Sequence, residues 1–373
     1  MWWNMKNSGF IKICIIFAFI LVIASSVFLI TSYMYNSKGN EINNAMSSEL
    51  SQKDSIQSTK ETAKINISNE SPEQTTYINK ENEHSKEEIL SKKVEESLAK
   101  MTLEEKVAQL FFVTPEALTG IAQVTRAAKQ SKNSFNEYPV GGLVYFSENF
   151  ESPEQTKQML KNMQKIANEK SSFPVFLAID EEGGTVSRLQ KKAGFDIPKT
   201  PTMKELGEEN DVEKVRRVGL EIGRYLNEYG FNLNFAPDAD VLTEPKNKVI
   251  GDRSFGKDPY LVSDMASAYI QGLNAAGVLG CYKHFPGHGG TLEDSHSDFA
   301  YSYKTLEELK KAELVPFLEA IKKEVPIIMV SHISLPNVIG DNTPVSLSKK
   351  MLSEFLRGEL NYKGIIITDA LDM

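Results

Sequence analysis

Short apolar runs that alternate with helical patterns constrain the fold of this chain more than any other feature. Helical patterns occur at Val212–Tyr229, Pro259–Ala276 and Thr305–Lys323, and the last should kink or break at its internal Pro316. The apolar runs are Phe111–Val113, Val140–Phe146, Val175–Asp180, Phe231–Pro237, Val278–His284, Pro326–His332 and Gly364–Asp369. Continuous apolar strands between helices are typical of a parallel sheet covered on both faces. Seven runs over roughly 270 residues predict an α/β fold of the TIM type, a (β/α)8 barrel, rather than an open sheet.

Five of these runs end in ionisable side chains. The ends carry Asp180-Glu181-Glu182, Asp238 with Asp240, Lys283-His284, His332 and Asp369. In a barrel the carboxyl ends of all strands meet at one mouth, where active sites lie. A single acid at a strand end could simply cap a helix. Five charged ends at one mouth instead indicate a functional site.

The segment Lys283–His296 concentrates these groups, since it contains three of the five histidines in the chain. Its proline and glycines predict a loop. Two chemistries remain open from the residues alone. A metal ion could be bound by His284, His288, Asp294 and His296. Lys283 and Arg253, however, would place two cations at the same mouth, which disfavours a divalent metal and fits hydrogen bonding to a neutral polyol.

Several motifs resemble those of glycoside hydrolase family 3, and within it the β-N-acetylglucosaminidase branch. The resemblance covers roughly residues 95 to 373. Its motifs are the opening helix Met101–Phe111, Asp180–Arg188 (with Thr185 where Arg is common), Gly251–Gly256, Lys283–Gly289, Asp294-Ser-His296 and Ile367–Asp372. The opening helix alone is a weak signal. The combination of Lys-His-Phe-Pro-Gly-His-Gly with Asp-Ser-His is highly specific.

The resemblance implies a retaining β-N-acetylglucosaminidase that acts on cell-wall fragments or chitooligosaccharides without a cofactor or metal. It implies that Asp369 is the nucleophile and that His296, oriented by Asp294, is the general acid/base. Substrate would be held by Asp180, Arg188, Arg253, Lys283 and His284. The alternatives are a family 3 β-glucosidase or phosphorylase, and a truncated, inactive glycan-binding surface protein.

The N-terminal part predicts a membrane anchor and a linker. No charge interrupts Ile13–Ile30, and Lys6 and Lys12 precede it, so residues 1–35 are interpreted as a transmembrane anchor or a signal peptide. Either interpretation places the rest of the chain outside the cytoplasm. Residues 36–86 are polar and predict a disordered linker, and residues 87–373 form the predicted catalytic domain. The net charge of −8 argues against nucleic acid as a partner.

Four further expectations concern single residues. Cys281 should be a small buried residue, and the Phe285–Pro286 bond is expected to be cis. His288 is interpreted as a loop residue that bonds to the backbone, whereas His332 fits a pocket and a strand end equally well. The chain stops at Met373, four residues after Asp369. We therefore expect a barrel that lacks its last β/α unit, with poor stability and weak activity.

Overall fold

The computed structural model describes residues 88–171, 173–291 and 300–372. The chain divides into two units, one up to Lys100 and one from Met101 onwards. In the first unit a helix spans 88–100. The predicted anchor at 1–35 and linker at 36–86 lie outside the described residues. None of the helices within the described ranges combines the length and apolar character that a bilayer crossing requires.

Eight short strands in the second unit are all parallel to their neighbours. The first sheet contains, in chain order, β1 (Phe112–Val113), β2 (Gly142–Tyr145), β3 (Phe176–Ile179), β4 (Leu233–Asn234) and β5 (Leu279–Gly280). The second contains β6 (Tyr282–Phe285), β7 (Ile327–Val330) and β8 (Ile365–Thr368). Only Cys281 separates β5 from β6, so one run of chain serves both sheets. Each of the seven predicted apolar runs contains a strand, which confirms the predicted parallel α/β fold of TIM-like type.

Helices connect the successive strands. Their bounds are Leu103–Ala108, Pro115–Thr119, Lys129–Glu137, Pro153–Lys170, Met203–Glu209, Val212–Tyr229, Pro259–Ala275, Leu306–Leu309, Val315–Lys322 and Pro336–Ile339, with a π-helix at Lys350–Glu359. Asp211 caps the first turn of Val212–Tyr229, and the left-handed Gly230 ends it. The pattern Thr305–Lys323 is divided into two helices, and Pro316 lies in the first turn of the second, where its missing N–H is tolerated. The predicted break is confirmed.

The two long helices Val212–Tyr229 and Pro259–Ala275 cross at backbone contact. A Cβ added to Gly219 would lie 2.2 Å from the carbonyl oxygen of Tyr269, and one on Gly272 would lie 2.2 Å from that of Arg216. This close approach brings the buried Tyr269 hydroxyl to the carbonyls of Glu181 and Glu182, to which it donates at 3.2 and 3.0 Å. The helix crossing thus supports the turn that follows β3.

Side chains from the strands and from the residues directly after them form a small apolar cluster, distinct from the larger core between sheets and helices. Its buried members are Ala178, Leu233, Phe235, Cys281, Ile327 and Met329, with half-buried side chains from β1, β2, β3, β5 and β8 against them. Interiors of TIM-type barrels are filled by strand side chains in this way. Cys281 is buried as expected, and burial raises the pKa of its thiol, so a thiolate role is disfavoured.

Candidate active site

Lys283 and His284 lie at a distortion of strand β6. Tyr282 pairs with Ile328 and Phe285 with Val330, so three steps along β6 oppose two along β7. Such bulges reorient side chains beside active sites. The bonds Lys283–His284 and Phe285–Pro286 are both cis. The cis bond expected at Pro286 is therefore confirmed, whereas the one at His284 was not predicted.

A buried carboxylate, Glu182, joins the two cations of the mouth. Arg253 donates to it from Nε to Oε2 at 2.9 Å and from Nη2 to Oε1 at 2.8 Å. The Lys283 ammonium lies 2.7 Å from Oε1 of the same carboxylate. Burial opposes ionisation of Glu182, but the two cations outweigh it and hold the pKa of this carboxyl far below its usual range. Glu182 therefore neutralises one of the two positive charges.

Asp180, at the end of β3, is the second partner of Lys283. Its Oδ1 accepts from the Lys283 ammonium at 2.9 Å, and its side chain keeps 19% of its surface exposed. Arg188 approaches the other oxygen of Asp180 less closely, at 3.9 Å. The Arg188 guanidinium also lies over the ring of Phe146, 5.4 Å from its centre. Asp180, Arg188 and Lys283 thus meet at the mouth as the sequence predicts.

The neighbouring Glu181 has a different task. Its carboxylate accepts from the backbone N–H groups of Arg188, Leu189 and Gln190 at 2.5, 3.0 and 3.2 Å, and from the Tyr225 hydroxyl at 3.0 Å. Burial raises the pKa of Glu181 although these donors oppose the rise. Glu181 thus stabilises the loop that contains Arg188 through hydrogen bonds to its backbone. Glu182 instead pairs with the cations of the mouth.

His284 is oriented by a buried carboxylate from the end of β4. Its Nδ1 lies 2.7 Å from Asp240 Oδ2. Because a carboxylate only accepts, Nδ1 carries a proton; when the ring is neutral, Nε2 accepts from Arg253 Nη2 at 3.3 Å. Burial would lower the pKa of His284, but Asp240 outweighs it and the pKa is raised. His284 and Arg253 are therefore held side by side.

Asp238 and Asp240 form a like-charge pair beneath His284. Asp240 donates its backbone N–H to Asp238 Oδ1 at 2.9 Å, and both carboxyls are fully buried. Burial and the charge of Asp240 raise the pKa of Asp238 to about 8. Burial also acts on Asp240, but His284 overrides it and lowers the pKa of Asp240. At neutral pH one proton therefore resides mainly on Asp238.

The metal hypothesis meets an obstacle at this pair. Ligand atoms of Asp238, Asp240 and His284 lie within 4.8 Å of one another. Arg253 Nη2, however, lies 3.4 Å from Asp238 Oδ2 and 3.3 Å from His284 Nε2, so a guanidinium competes with any metal there. Of the four ligands predicted from sequence, His284 belongs to this group, whereas Asp294 and His296 lie outside the described residues.

Asp369 directly follows β8 and faces the same cations. Its backbone N–H donates to Val330 at 2.9 Å, and its Oδ1 accepts from the N–H of Ala370 at 2.9 Å. Burial would raise the pKa of this carboxyl, but His284, the Ala370 N–H, Lys283 and His332 together lower it. Asp369 is therefore an ionised carboxylate at neutral pH, at the mouth that holds the sugar-binding candidates.

Described residues anchor both ends of the segment 292–299, which contains Asp294 and His296. Before it, His288 is buried, its Nδ1 lies 2.7 Å from the Thr291 hydroxyl, and its carbonyl accepts from Asn247 at 2.8 Å. After it, Ser334 donates to the carbonyl of Ala300 at 2.9 Å. His288 is a loop residue as expected, but the partner seen for its Nδ1 is a side-chain hydroxyl, that of Thr291, and not a backbone group.

Three residues of the mouth were not predicted as site residues, although the strand ends drew attention to them. Glu182, Asp238 and Asp240 act through partners up to 101 positions away in sequence, the distance from Glu182 to Lys283. Their positions after β3 and β4 were the available signal. The spacing of these residues in the sequence did not predict which carboxylate pairs with which cation.

Comparison with known proteins identifies the family. The model of the glycosyl hydrolase family 3 N-terminal domain matches residues 102–373. The chain belongs to glycosyl hydrolase family 3. It is similar to beta-hexosaminidase A of Pseudoalteromonas piscicida, with 34% identity over 68% of this chain and 44% of that protein. A beta-hexosaminidase of Xylella fastidiosa (strain M23) is 33% identical over 69% of this chain and 74% of that protein.

Two solved structures extend the comparison. A family 3 β-N-acetylglucosaminidase from Paenibacillus sp. str. FPU-7 matches with a TM-score of 0.68 and 36% identity, over 73% of this chain and 50% of that one. NagZ from Neisseria gonorrhoeae, in complex with N-trifluoroacetyl-D-glucosamine, matches with a TM-score of 0.63 and 29% identity, over 70% of this family 3 chain and 74% of that one. The chain thus spans about half the length of some relatives and three quarters of others.

Proposed function

We propose that this family 3 protein is a retaining β-N-acetylglucosaminidase that removes terminal β-linked N-acetylglucosamine. The observation that carries the proposal is the position of Asp369 at the end of β8, where Lys283 and His284 help to lower its pKa. A glycosidase nucleophile must be ionised when substrate arrives. The names of the hexosaminidase relatives and of the Paenibacillus structure support the sugar specificity.

The cation–carboxylate group would bind the sugar hydroxyls. Asp180 keeps part of its surface open to the mouth, and Lys283, Arg253 and His284 are held rigidly by buried acids. Charged partners make stronger hydrogen bonds to hydroxyls than neutral ones do. Because these side chains are already ordered, binding costs less conformational entropy.

The reaction proceeds in two displacements. Asp369 attacks the anomeric carbon, the glycosidic C–O bond breaks, and the leaving oxygen takes a proton from His296. Water then gives a proton to His296 and its oxygen displaces Asp369, which restores the carboxylate. Asp294 would hold the tautomer of His296 and stabilise its cation. The roles of His296 and Asp294 rest on the family resemblance of Asp294-Ser-His296.

The expected substrates are peptidoglycan fragments or chitooligosaccharides outside the cytoplasm. The uncharged run Ile13–Ile30 after Lys6 and Lys12 supports a membrane anchor or a secretion signal. Cell fractionation with protease added to intact cells tests this location. Protection of the catalytic domain from the protease would contradict it.

Hydrolysis of 4-nitrophenyl N-acetyl-β-glucosaminide tests the proposed activity. We expect turnover of this substrate, little turnover of the β-glucoside, and losses of at least about 10³-fold in Asp369→Ala and His296→Ala. Asp264→Ala, at an exposed helix position, is the matched control. Unchanged activity in both active-site variants would defeat the assignment. Sugar phosphate as the product in phosphate buffer would establish phosphorolysis instead.

A further inference from the structure

His332 links the end of β7 to the residue after Asp369. Its Nε2 lies 2.8 Å from the carbonyl oxygen of Ala370, and its Nδ1 lies 2.7 Å from the Ser346 hydroxyl. A carbonyl only accepts, so Nε2 carries a proton and donates it to Ala370. Both ring nitrogens are therefore engaged, and the imidazole braces the backbone rather than pointing freely into the mouth.

The N–H of the same residue, Ala370, holds the carboxylate of Asp369 from the preceding peptide unit. The Ala370 N–H donates to Asp369 Oδ1 at 2.9 Å, which is the one hydrogen bond this carboxylate accepts within the described part of the chain. Asp369 is tied on its other side to Val330 of β7 at 2.9 Å. Residues Val330 and His332, two positions apart, thus hold the backbone before and after the Asp369 side chain.

An aspartate nucleophile needs such bracing because its position sets the rate. The attacking oxygen must lie near 3 Å from the anomeric carbon, and a misplacement of about 1 Å can cost about 100-fold in rate. The strand β8 ends at Thr368. The Asp369 N–H still bonds to Val330 of β7, but Ala370 lies beyond the ladder. A brace from outside the strand supplies the rigidity that the ladder no longer gives.

We propose that His332 is a positioning residue for the nucleophile. It fixes the backbone of Ala370, whose N–H orients the Asp369 carboxylate, and is itself held by Ser346. The inference rests on the proposed function, in which Asp369 attacks the sugar. In this proposal His332 acts through Ala370 and not on the substrate. Its effect should therefore fall on the rate of attack and not on sugar binding.

Glycosylation kinetics of the full-length protein test the proposal. The substrate is 2,4-dinitrophenyl N-acetyl-β-glucosaminide, whose leaving group departs without protonation, so changes at the general acid do not influence the readout. Stopped-flow absorbance gives the rate of dinitrophenolate release in the first turnover. Competitive inhibition by N-acetylglucosamine gives the affinity of the sugar site. Circular dichroism confirms that each variant is folded.

We expect His332→Leu to slow glycosylation by about 10- to 100-fold, while the inhibition constant of N-acetylglucosamine stays within about twofold. His332→Gln keeps a side-chain N–H that can reach the Ala370 carbonyl and should recover most of the rate. Ser346→Ala frees the other side of the ring and should slow glycosylation several-fold. If His332→Leu does not fold, the glycosylation rates of His332→Gln and Ser346→Ala test the positioning role.

Three results would overturn the proposal: glycosylation at the wild-type rate in His332→Leu or Ser346→Ala, an equal loss in the Leu and Gln variants, or weaker sugar binding that parallels the loss of rate. Asp369→Ala is measured alongside. Activity retained by that variant would refute the proposed nucleophile itself, whereas loss of activity there with no effect at His332 would refute the positioning role alone.

Discussion

The Lys283 ammonium lies 2.7 Å from Glu182 Oε1, and both side chains are almost completely buried. Glu182 Oε1 also accepts from Arg253 Nη2 at 2.8 Å. One carboxylate thus supports two cations that the proposed mechanism uses to bind the sugar. A buried cation without a partner is strongly destabilising, because its desolvation is no longer compensated. Both the positions of Lys283 and Arg253 and the net charge of the mouth therefore depend on Glu182.

Replacement of this carboxylate should weaken folding and substrate binding together. We expect Glu182→Ala to lower the free energy of unfolding by about 3–5 kcal/mol, since two buried cations lose a partner. Glu182→Gln keeps the acceptor oxygen and should cost less, but KM should still rise. Urea unfolding and steady-state kinetics measure the two effects. Glu208→Ala, at an exposed position, is the control. A Glu182→Ala protein as stable as the control would contradict the argument.

The proton on Asp238 predicts a specific pH dependence of stability. Its pKa is raised to about 8 in the folded state, against about 3.9 in the unfolded chain. The folded state thus binds the proton more tightly, so this contribution is full below about pH 4 and is lost as pH rises towards 8. The side chain at position 238 cannot titrate in Asp238→Asn. Relative to wild type, its free energy of unfolding should increase by on the order of 1 kcal/mol per pH unit between pH 5 and 7.

Urea unfolding of wild type and Asp238→Asn at pH 5, 6 and 7 gives the difference in their free energies of unfolding. The contributions of titrating groups that both proteins share cancel in this difference. The slope is the informative quantity, because Asn also changes the contact with Arg253 Nη2 at 3.4 Å by a pH-independent amount. Asp264→Asn, on an exposed helix position, should give a flat line. A flat line for Asp238→Asn as well would show that Asp238 is ionised throughout this range.

The sequence was most informative about the strands and the long helices. Apolar runs located all seven strand segments, because buried parallel strands are apolar throughout, and Val212–Tyr229 was predicted to the residue. The pairing Lys283–Asp180 joins residues 103 positions apart. It became plausible only because all strand ends of a barrel share one mouth.

Partners inside the mouth were less predictable for a physical reason. Glu181 and Glu182 are adjacent and identical in type, yet one accepts from the backbone of residues 188–190 and the other from Arg253. Glu181 and Glu182 have different partners because their side chains point in different directions after β3. Direction at a strand end is set by tertiary contacts, here with Tyr225 and Tyr269. No local pattern carries that information.

The helix crossing near β3 offers a direct test of packing through the stability of the fold. A Cβ on Gly219 would lie 2.2 Å from the Tyr269 carbonyl oxygen, so Gly219→Ala must separate two backbones. We expect a loss of about 1–3 kcal/mol or more in the free energy of unfolding. Thermal unfolding measures it. Gly358→Ala, whose Cβ would meet no atom closer than 3.3 Å, should change little. Equal melting temperatures for the two variants would show that the helices can separate freely.

Glu313 links the two ends of the segment that contains Asp294 and His296. Its buried carboxylate accepts hydrogen bonds from the Thr243 hydroxyl and the Lys304 ammonium. Gly290 packs against the same group, since a Cβ there would lie 2.7 Å from Glu313 Oε1 and 2.8 Å from Thr243 Oγ1. Gly290 lies shortly before residues 292–299, and Lys304 shortly after them. Displacement of this cluster should therefore disturb the proposed acid/base pair more than the nucleophile.

Gly290→Ala tests this link through the leaving group. We expect the variant to lose at least about tenfold in kcat on aryl N-acetylglucosaminides whose phenol is a poor leaving group, because these need the proton from His296. With the 2,4-dinitrophenyl substrate, which needs no proton, first-turnover release should stay within about threefold of wild type. A series of substituted phenyl glycosides gives the dependence on phenol pKa. The Gly358→Ala protein should follow the wild-type line. A uniform loss across the series in Gly290→Ala would mean that the cluster supports the whole mouth and not the acid/base segment in particular.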